Sequence, residues 1–350
     1  MAVPLSARYN PSLREVNANA AAAYDAKDRF RLGAAIQAPA YGGDIGRRSA
    51  SSVASSRSPS ASSRLSGAGG RPSGSMGMAS PGADRAKRHI PFHCTEVVCE
   101  VVDMFYTREK QLTRDPNYMS SQTEVNEKMR TILIDWLVDV HLKFKLHEET
   151  FFLAVDLVDR YLTVARVSRS QLQLVGITCM LLAAKYEEIW PPEVSECIHV
   201  SANTYTRDEI LKMERAIAAA LSFKLTQPTP FPMLARLLEV TEADETTRHA
   251  AFFFLEHAVL NYKHLQFLPS ELAHASLYLA NVMLRKPDPW SYTCQYYSRA
   301  KADDFKPCAR AILDFAALIT NSKYQAIRRK YSSTKYGEVS RMVFPTDLPL

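Results

Sequence analysis

Beyond residue 82 the sequence is almost without glycine. Ten of its twelve glycines lie between Gly33 and Gly82, leaving only Gly176 and Gly337 for the rest of the 350 residues. A body so poor in the residue most tolerant of left-handed backbone has few tight turns and no Gly-rich loop to cradle a phosphate. Paired cysteines are also missing. Cys94, Cys99, Cys179, Cys197, Cys294 and Cys308 form no CxxC and no dense scaffold, which suits a reducing compartment and mostly buried thiols. No run of about 18 apolar residues could span a bilayer, and no cleavable apolar segment opens the chain, so a soluble intracellular protein is expected. HExxH, GxSxG and P-loop motifs are absent, and His147-Glu148-Glu149 lacks a second histidine one turn later. The expectation is a protein with no catalytic residues, no metal and no cofactor.

What is present falls into two unlike parts. Residues 1–88 carry 13 Lys+Arg against 5 Asp+Glu, hence +8, and residues 89–350 carry 30 against 32, hence −2. Basicity thus belongs to the tail, the reverse of what a nucleic-acid-binding body shows. From Ser49 to Ser80 there are thirteen serines and three charged side chains, Arg57, Arg64 and Arg71. So little apolar material cannot offset the entropy of ordering, and residues 1–90 read as a disordered tail.

After that tail the apolar spacing is helical throughout, with joints at Asp115-Pro116, Pro191-Pro192, Pro228 to Pro232 and Pro287 to Pro289. Helices are expected near 94–112, 124–144, 148–163, 169–187, 206–220, 229–239, 244–260, 269–285 and 303–320, and no stretch alternates as a strand would. Leu174 to Thr178 and Leu272 to Ser276 echo each other at an offset of 98 residues, a faint sign of two similar bundles. In the second of these helices Met129, Ile132, Leu133, Trp136 and Val140 share one stripe, while Ile134 and Val138 fall on the far side. Either the helix is buried all round or one stripe faces a partner.

Met129 to Val140, Lys143 to Leu146 and Val158 to Leu162 resemble the opening of the cyclin box. Leu172 to Gly176, Ala184 to Ile189, Pro191 to Val194, Met213-Glu214 and Leu221 to Phe223 continue it in order. Phe267 to Ser270, Lys306 to Cys308 and Lys330 to Tyr336 resemble the C-terminal half of A- and B-type cyclins, with Asn203 to Thr206 closer to the B type. The resemblance covers roughly residues 92–345. It implies an all-α fold of two tandem cyclin-box bundles with flanking helices: a tail at 1–90, a first box with its preceding helix at 91–226, and a second box with a C-terminal extension at 227–350.

In that family a Lys and a Glu matching Lys185 and Glu214 bond backbone groups at the start of the mobile αC helix of a cyclin-dependent kinase and hold it inward. Without the resemblance, an internal salt bridge is the ordinary fate of such a pair. Leu182, Tyr186, Ala218, Phe223 and Leu225 match positions that pack on the kinase, although Ala218 is smaller than the family's usual residue. Val97, Val101 and Met104 of the first helix likewise replace residues that are partly aromatic in relatives. Arg130 and Asp159 match a structural ion pair. Met129, Ile132, Leu133, Trp136, Leu172 and Gln173 match a docking patch for Arg-x-Leu segments of substrates or inhibitors, with Asp139 receiving the basic residue; burial is the plainer use of the same apolar side chains. In the tail, Arg29 and Leu32 match a destruction box read by a ubiquitin ligase, and Ser58-Pro59 and Ser80-Pro81 are minimal proline-directed phosphorylation sites. The resemblance implies a nuclear protein that shuttles with the cytoplasm and regulates mitosis, and neither a membrane partner nor direct nucleic-acid binding is expected; an adaptor for transcription machinery or nucleic acid on the same fold is the rival reading.

Overall fold

The computed structural model describes Asp84 and residues 94–111, 114–320 and 322–348. Arg29, Leu32, Ser58 and Ser80, and with them nearly all of the expected tail, lie outside the described residues. Twelve α-helices follow in order among those described: α1 Val98–Arg108, α2 Glu127–Phe144, α3 Glu148–Val164, α4 Leu172–Glu187, α5 Val194–Val200 and α6 Arg207–Ala220, then α7 Pro230–Val240, α8 Glu245–Leu260, α9 Pro269–Met283, α10 Tyr292–Ser298, α11 Ala302–Ile319 and α12 Ala326–Tyr331. No strand occurs among the described residues.

Each bundle is built round one helix that is buried on nearly every side. In the first, α4 packs against α2, α3 and α6, and in the second, α9 packs against α7, α8 and α11. The run Leu174, Val175, Ile177, Cys179, Met180 and Leu181 is buried along α4, as are Leu272, Ala273, Ala275, Leu277 and Leu279 along α9. Helices with no polar face belong in a core. The echo at an offset of 98 therefore marks the central helices of two repeated bundles. Close approach of α2 to α4 depends on Gly176, where a Cβ would stand 2.6 Å from Leu133 Cδ1.

Local signals fix several helix starts. The Asn126 side chain accepts from Met129 N at 3.1 Å, Asp244 from Thr247 N at 2.7 Å, and Thr206 exchanges bonds with Glu209 in a capping box. Three helices, α5, α10 and α12, were not expected. Each has seven residues or fewer, too short for an apolar period to register. The expected 169–187 helix begins as a 3-10 turn, Arg169–Gln171, before α4.

The first helix was grouped with the first bundle, yet its polar bonds run to the second. Glu109, just past the end of α1, accepts from Ser270 N at 2.9 Å and from Ser270 Oγ at 2.8 Å. Tyr106 Oη lies 3.2 Å from His274 Nε2, and Asp103 pairs with Arg299. The reason is local: Ser270 stands at the start of α9, where backbone N–H groups lack helical partners and a carboxylate satisfies them. Burial pushes the Glu109 carboxyl up from its ordinary value, and its bonds from Ser270 pull against that shift.

Candidate functional site

Lys185 ends α4 and Glu214 lies on the neighbouring α6. Lys185 Nζ is 2.5 Å from Glu214 Oε1, with the lysine side chain 43% exposed and the glutamate 16%. The internal salt bridge is therefore made in the chain on its own. It is also wet, and exposed pairs contribute at most about 1 kcal/mol to folding. The lysine keeps further N–H groups, and the glutamate a second oxygen, for bonds to another molecule.

Large side chains stand exposed at or just beyond the ends of the two helices that carry the pair. Tyr186 is exposed, its hydroxyl bonded to that of Thr226. Phe223 is 76% exposed. It sits after Ser222 in a turn where both residues adopt left-handed backbone, φ 52° and 56°, an uncommon conformation for a bulky side chain. Leu182 and Ala218 are buried beneath, and Leu225 is half-buried. Sequence reasoning passed over two further residues, Ile189 at 87% and Trp190 at 88% exposed. They follow α4 in the bend before Pro191, where Glu188 is tied down by accepting from His147 N at 2.7 Å and Thr150 Oγ1 at 2.5 Å. The signal was available: a bulky apolar pair in a non-helical joint has no core to enter. Large exposed aromatics around a charged pair make a surface suited to protein recognition.

The second candidate surface is the apolar stripe of α2. Both faces of this helix are buried within the chain: Leu133, Ile134, Trp136, Val138 and Val140 are all at or below 7% exposure, and Met129 is at 9%. Burial therefore accounts for most of the stripe. Leu133 and Leu172 are fully covered, while Ile132, Gln173 and Asp139 remain half-buried at the rim. Asp139 is already engaged, for Arg329 Nη2 of α12 lies 2.8 Å from its Oδ2 and 3.0 Å from its Oδ1.

Arg130 and Asp159 are joined by two bonds, 2.6 Å from Nε and 2.7 Å from Nη2, with both side chains buried. Tyr118 Oη donates to the same carboxylate at 2.8 Å. Burial is the largest single influence and lowers the arginine pKa, but the charge and hydrogen bonds of Asp159, joined by Tyr118, together outweigh it, so Arg130 is held above its ordinary value. Among the described residues no group of three His, Cys, Asp or Glu could hold a metal, and no helix is long and apolar enough to cross a membrane.

Two family models match in succession, the cyclin N-terminal domain over residues 100–226 and the cyclin C-terminal domain over 228–345. The chain is 41% identical over 254 residues to Cyclin-B2-1 of Oryza sativa subsp. japonica, covering 73% of this chain and 60% of that protein. It is 39% identical over 236 residues to the G2/mitotic-specific cyclin S13-7 of Glycine max, covering 67% of this chain and 92% of that protein. The chain thus spans about 60% of the length of the rice relative. Among solved structures, a viral cyclin from herpesvirus saimiri is similar in fold, with a TM-score of 0.57 and 23% identity over 65% of this chain and 99% of that one.

Proposed function

Because the chain belongs to the cyclin family, among its mitotic B-type members, we propose that it is a non-catalytic subunit that binds and activates a cyclin-dependent kinase and so controls mitotic progression. The observation that carries this is the solvent-facing Lys185–Glu214 pair on α4 and α6, together with the exposed Tyr186, Phe223, Ile189 and Trp190 at or just beyond the ends of those two helices. The aromatic and apolar side chains supply the area that leaves water on binding, and the pair supplies direction. In this reading Lys185 donates to, and Glu214 accepts from, backbone groups at the start of the kinase's αC helix. Holding that helix inward completes the kinase's own Lys–Glu pair. Val97, just ahead of α1, and Val101 within it, both exposed, extend the same contact.

The rim of the α2 patch, Ile132, Gln173 and Asp139 over a floor of Met129, Leu133, Trp136 and Leu172, is the docking place for short apolar segments of substrates or inhibitors. The basic tail supplies recognition by a ubiquitin ligase through Arg29 and Leu32, and the protein works in the nucleus.

The test is kinase activity on a histone-type substrate. A cyclin-dependent kinase from the same cell is mixed with wild-type chain or with Lys185→Ala plus Glu214→Ala, alongside a pulldown and thermal unfolding of each cyclin. Activation should collapse in the double variant while its unfolding is nearly unchanged, as befits an exposed pair. Equal activation by both proteins would remove the αC-helix mechanism.

A further inference from the structure

The α2 patch has an internal occupant. Asp135 and Asp139 stand one turn apart on α2, and both are engaged by α12. Asp135 Oδ1 accepts from Ala326 N, the first residue of α12, at 2.9 Å. Asp139 takes Arg329 Nη2 on both of its oxygens, at 2.8 and 3.0 Å. The inner side of α12 is fixed as well, because Lys330 and Tyr331 both donate to the buried Glu256 Oε1 of α8. Arg329 is therefore delivered to Asp139 by a helix anchored at both ends, with its side chain 47% exposed and that of Asp139 16%. Helical spacing puts Asp139 beside Ile132 and Trp136 on the same side of α2.

We propose that Arg329 is a specificity-determining residue of the docking patch, standing where the basic side chain of a docking segment would otherwise be received. This rests on the docking reading given above. The partner it selects is a short peptide segment that binds by its apolar anchors, with a basic residue contributing little. The physical reason is charge balance. An incoming guanidinium must either displace Arg329, exchanging one bond to the carboxylate for another, or approach a carboxylate whose charge is neutralised while facing a like charge beside it. Neither route rewards a basic residue.

The experiment uses fluorescence anisotropy on the full chain with two labelled peptides, one containing Arg-x-Leu-Phe and one with Ala in place of the Arg. Wild type should bind the two within about twofold. Arg329→Gln should bind the Arg peptide roughly fivefold more tightly, the scale of one exposed ion pair, and leave the Ala peptide unchanged. Adding Asp139→Asn should abolish that gain, and Arg329→Lys, which keeps the positive charge, should behave as wild type. A wild type that prefers the Arg peptide fivefold or more, or an Arg329→Gln that shifts both peptides equally, would overturn the assignment and leave docking intact. Absence of binding by either peptide, to wild type and to Arg329→Gln alike, would remove docking and this inference together.

Discussion

Asp159 holds Arg130 by two bonds, and the remaining donors of that guanidinium cross to the second bundle. Arg130 Nη1 donates to the Leu260 carbonyl and Nη2 to that of Val259, each at 3.1 Å. The C-terminal end of α8, where carbonyls lack helical partners, is thereby capped by a cation from α2. One buried ion pair thus sets the first bundle against the second, a wider role than tying two helices of one bundle together.

Breaking this pair leaves a buried, unpaired charge. Asp159→Asn should lower the unfolding free energy by about 3–5 kcal/mol, read by urea denaturation of the full chain. Arg130→Met with Asp159→Leu should cost less than the two single changes added together, since the pair acts as a unit. Strict additivity would mean that the two side chains do not depend on one another.

Gly176→Ala sets two effects against each other. Mid-helix alanine is favoured over glycine by about 1 kcal/mol. The new Cβ, however, meets Leu133 Cδ1 at 2.6 Å and its Cγ at 3.1 Å, and Leu133 is fully buried on α2, so moving it displaces other core side chains. Overpacking of this kind costs typically about 1–3 kcal/mol, so a net loss of stability is expected. Leu133→Ala in the same chain should relieve part of the strain, and thermal unfolding of single and double variants measures it.

Glu149 opens α3 close to Glu187 at the end of α4. Burial, then the Glu187 charge, raises its carboxyl from 4.5 to about 7. A folded-state value above the unfolded one means that the folded chain binds the proton more tightly, so this group favours folding most below pH 4.5 and that contribution is lost as the pH rises through 7. Glu149→Gln should therefore gain stability over wild type at pH 8 and show no such gain at pH 4.5. Denaturation curves at both pH values decide it, and an equal effect at both would contradict the shift.

Much of the fold is readable from spacing alone. Thr206 with Glu209, and Asp244 ahead of Glu245, announce helix starts, and the run from Leu174 to Ala184, in which Thr178 is the one hydroxyl side chain, announces a central helix. The short helices were not legible, because they are too brief for an apolar period, and the start of α12 rests on a distant group: Ala326 N donates to Asp135, 191 residues away. Lys185 and Glu214 were singled out as a pair by resemblance, and the structure shows them bonded to each other at the surface. Ile189 and Trp190 were legible in principle, since no helical period could bury them.

By itself the sequence determined that this is a chain of amphipathic and fully apolar helices in two similar sets, because periodicity and capping act within a few residues. Only the tertiary structure decided which of the apolar faces stay uncovered. It buried both stripes of α2, left Phe223 and Trp190 in water, tied α1 by polar bonds to the second bundle, and placed Arg329 on Asp139. Each of those outcomes depends on groups far apart in the chain meeting in space, and local pattern holds no record of which distant carboxylate or backbone N–H will be left in need of a partner.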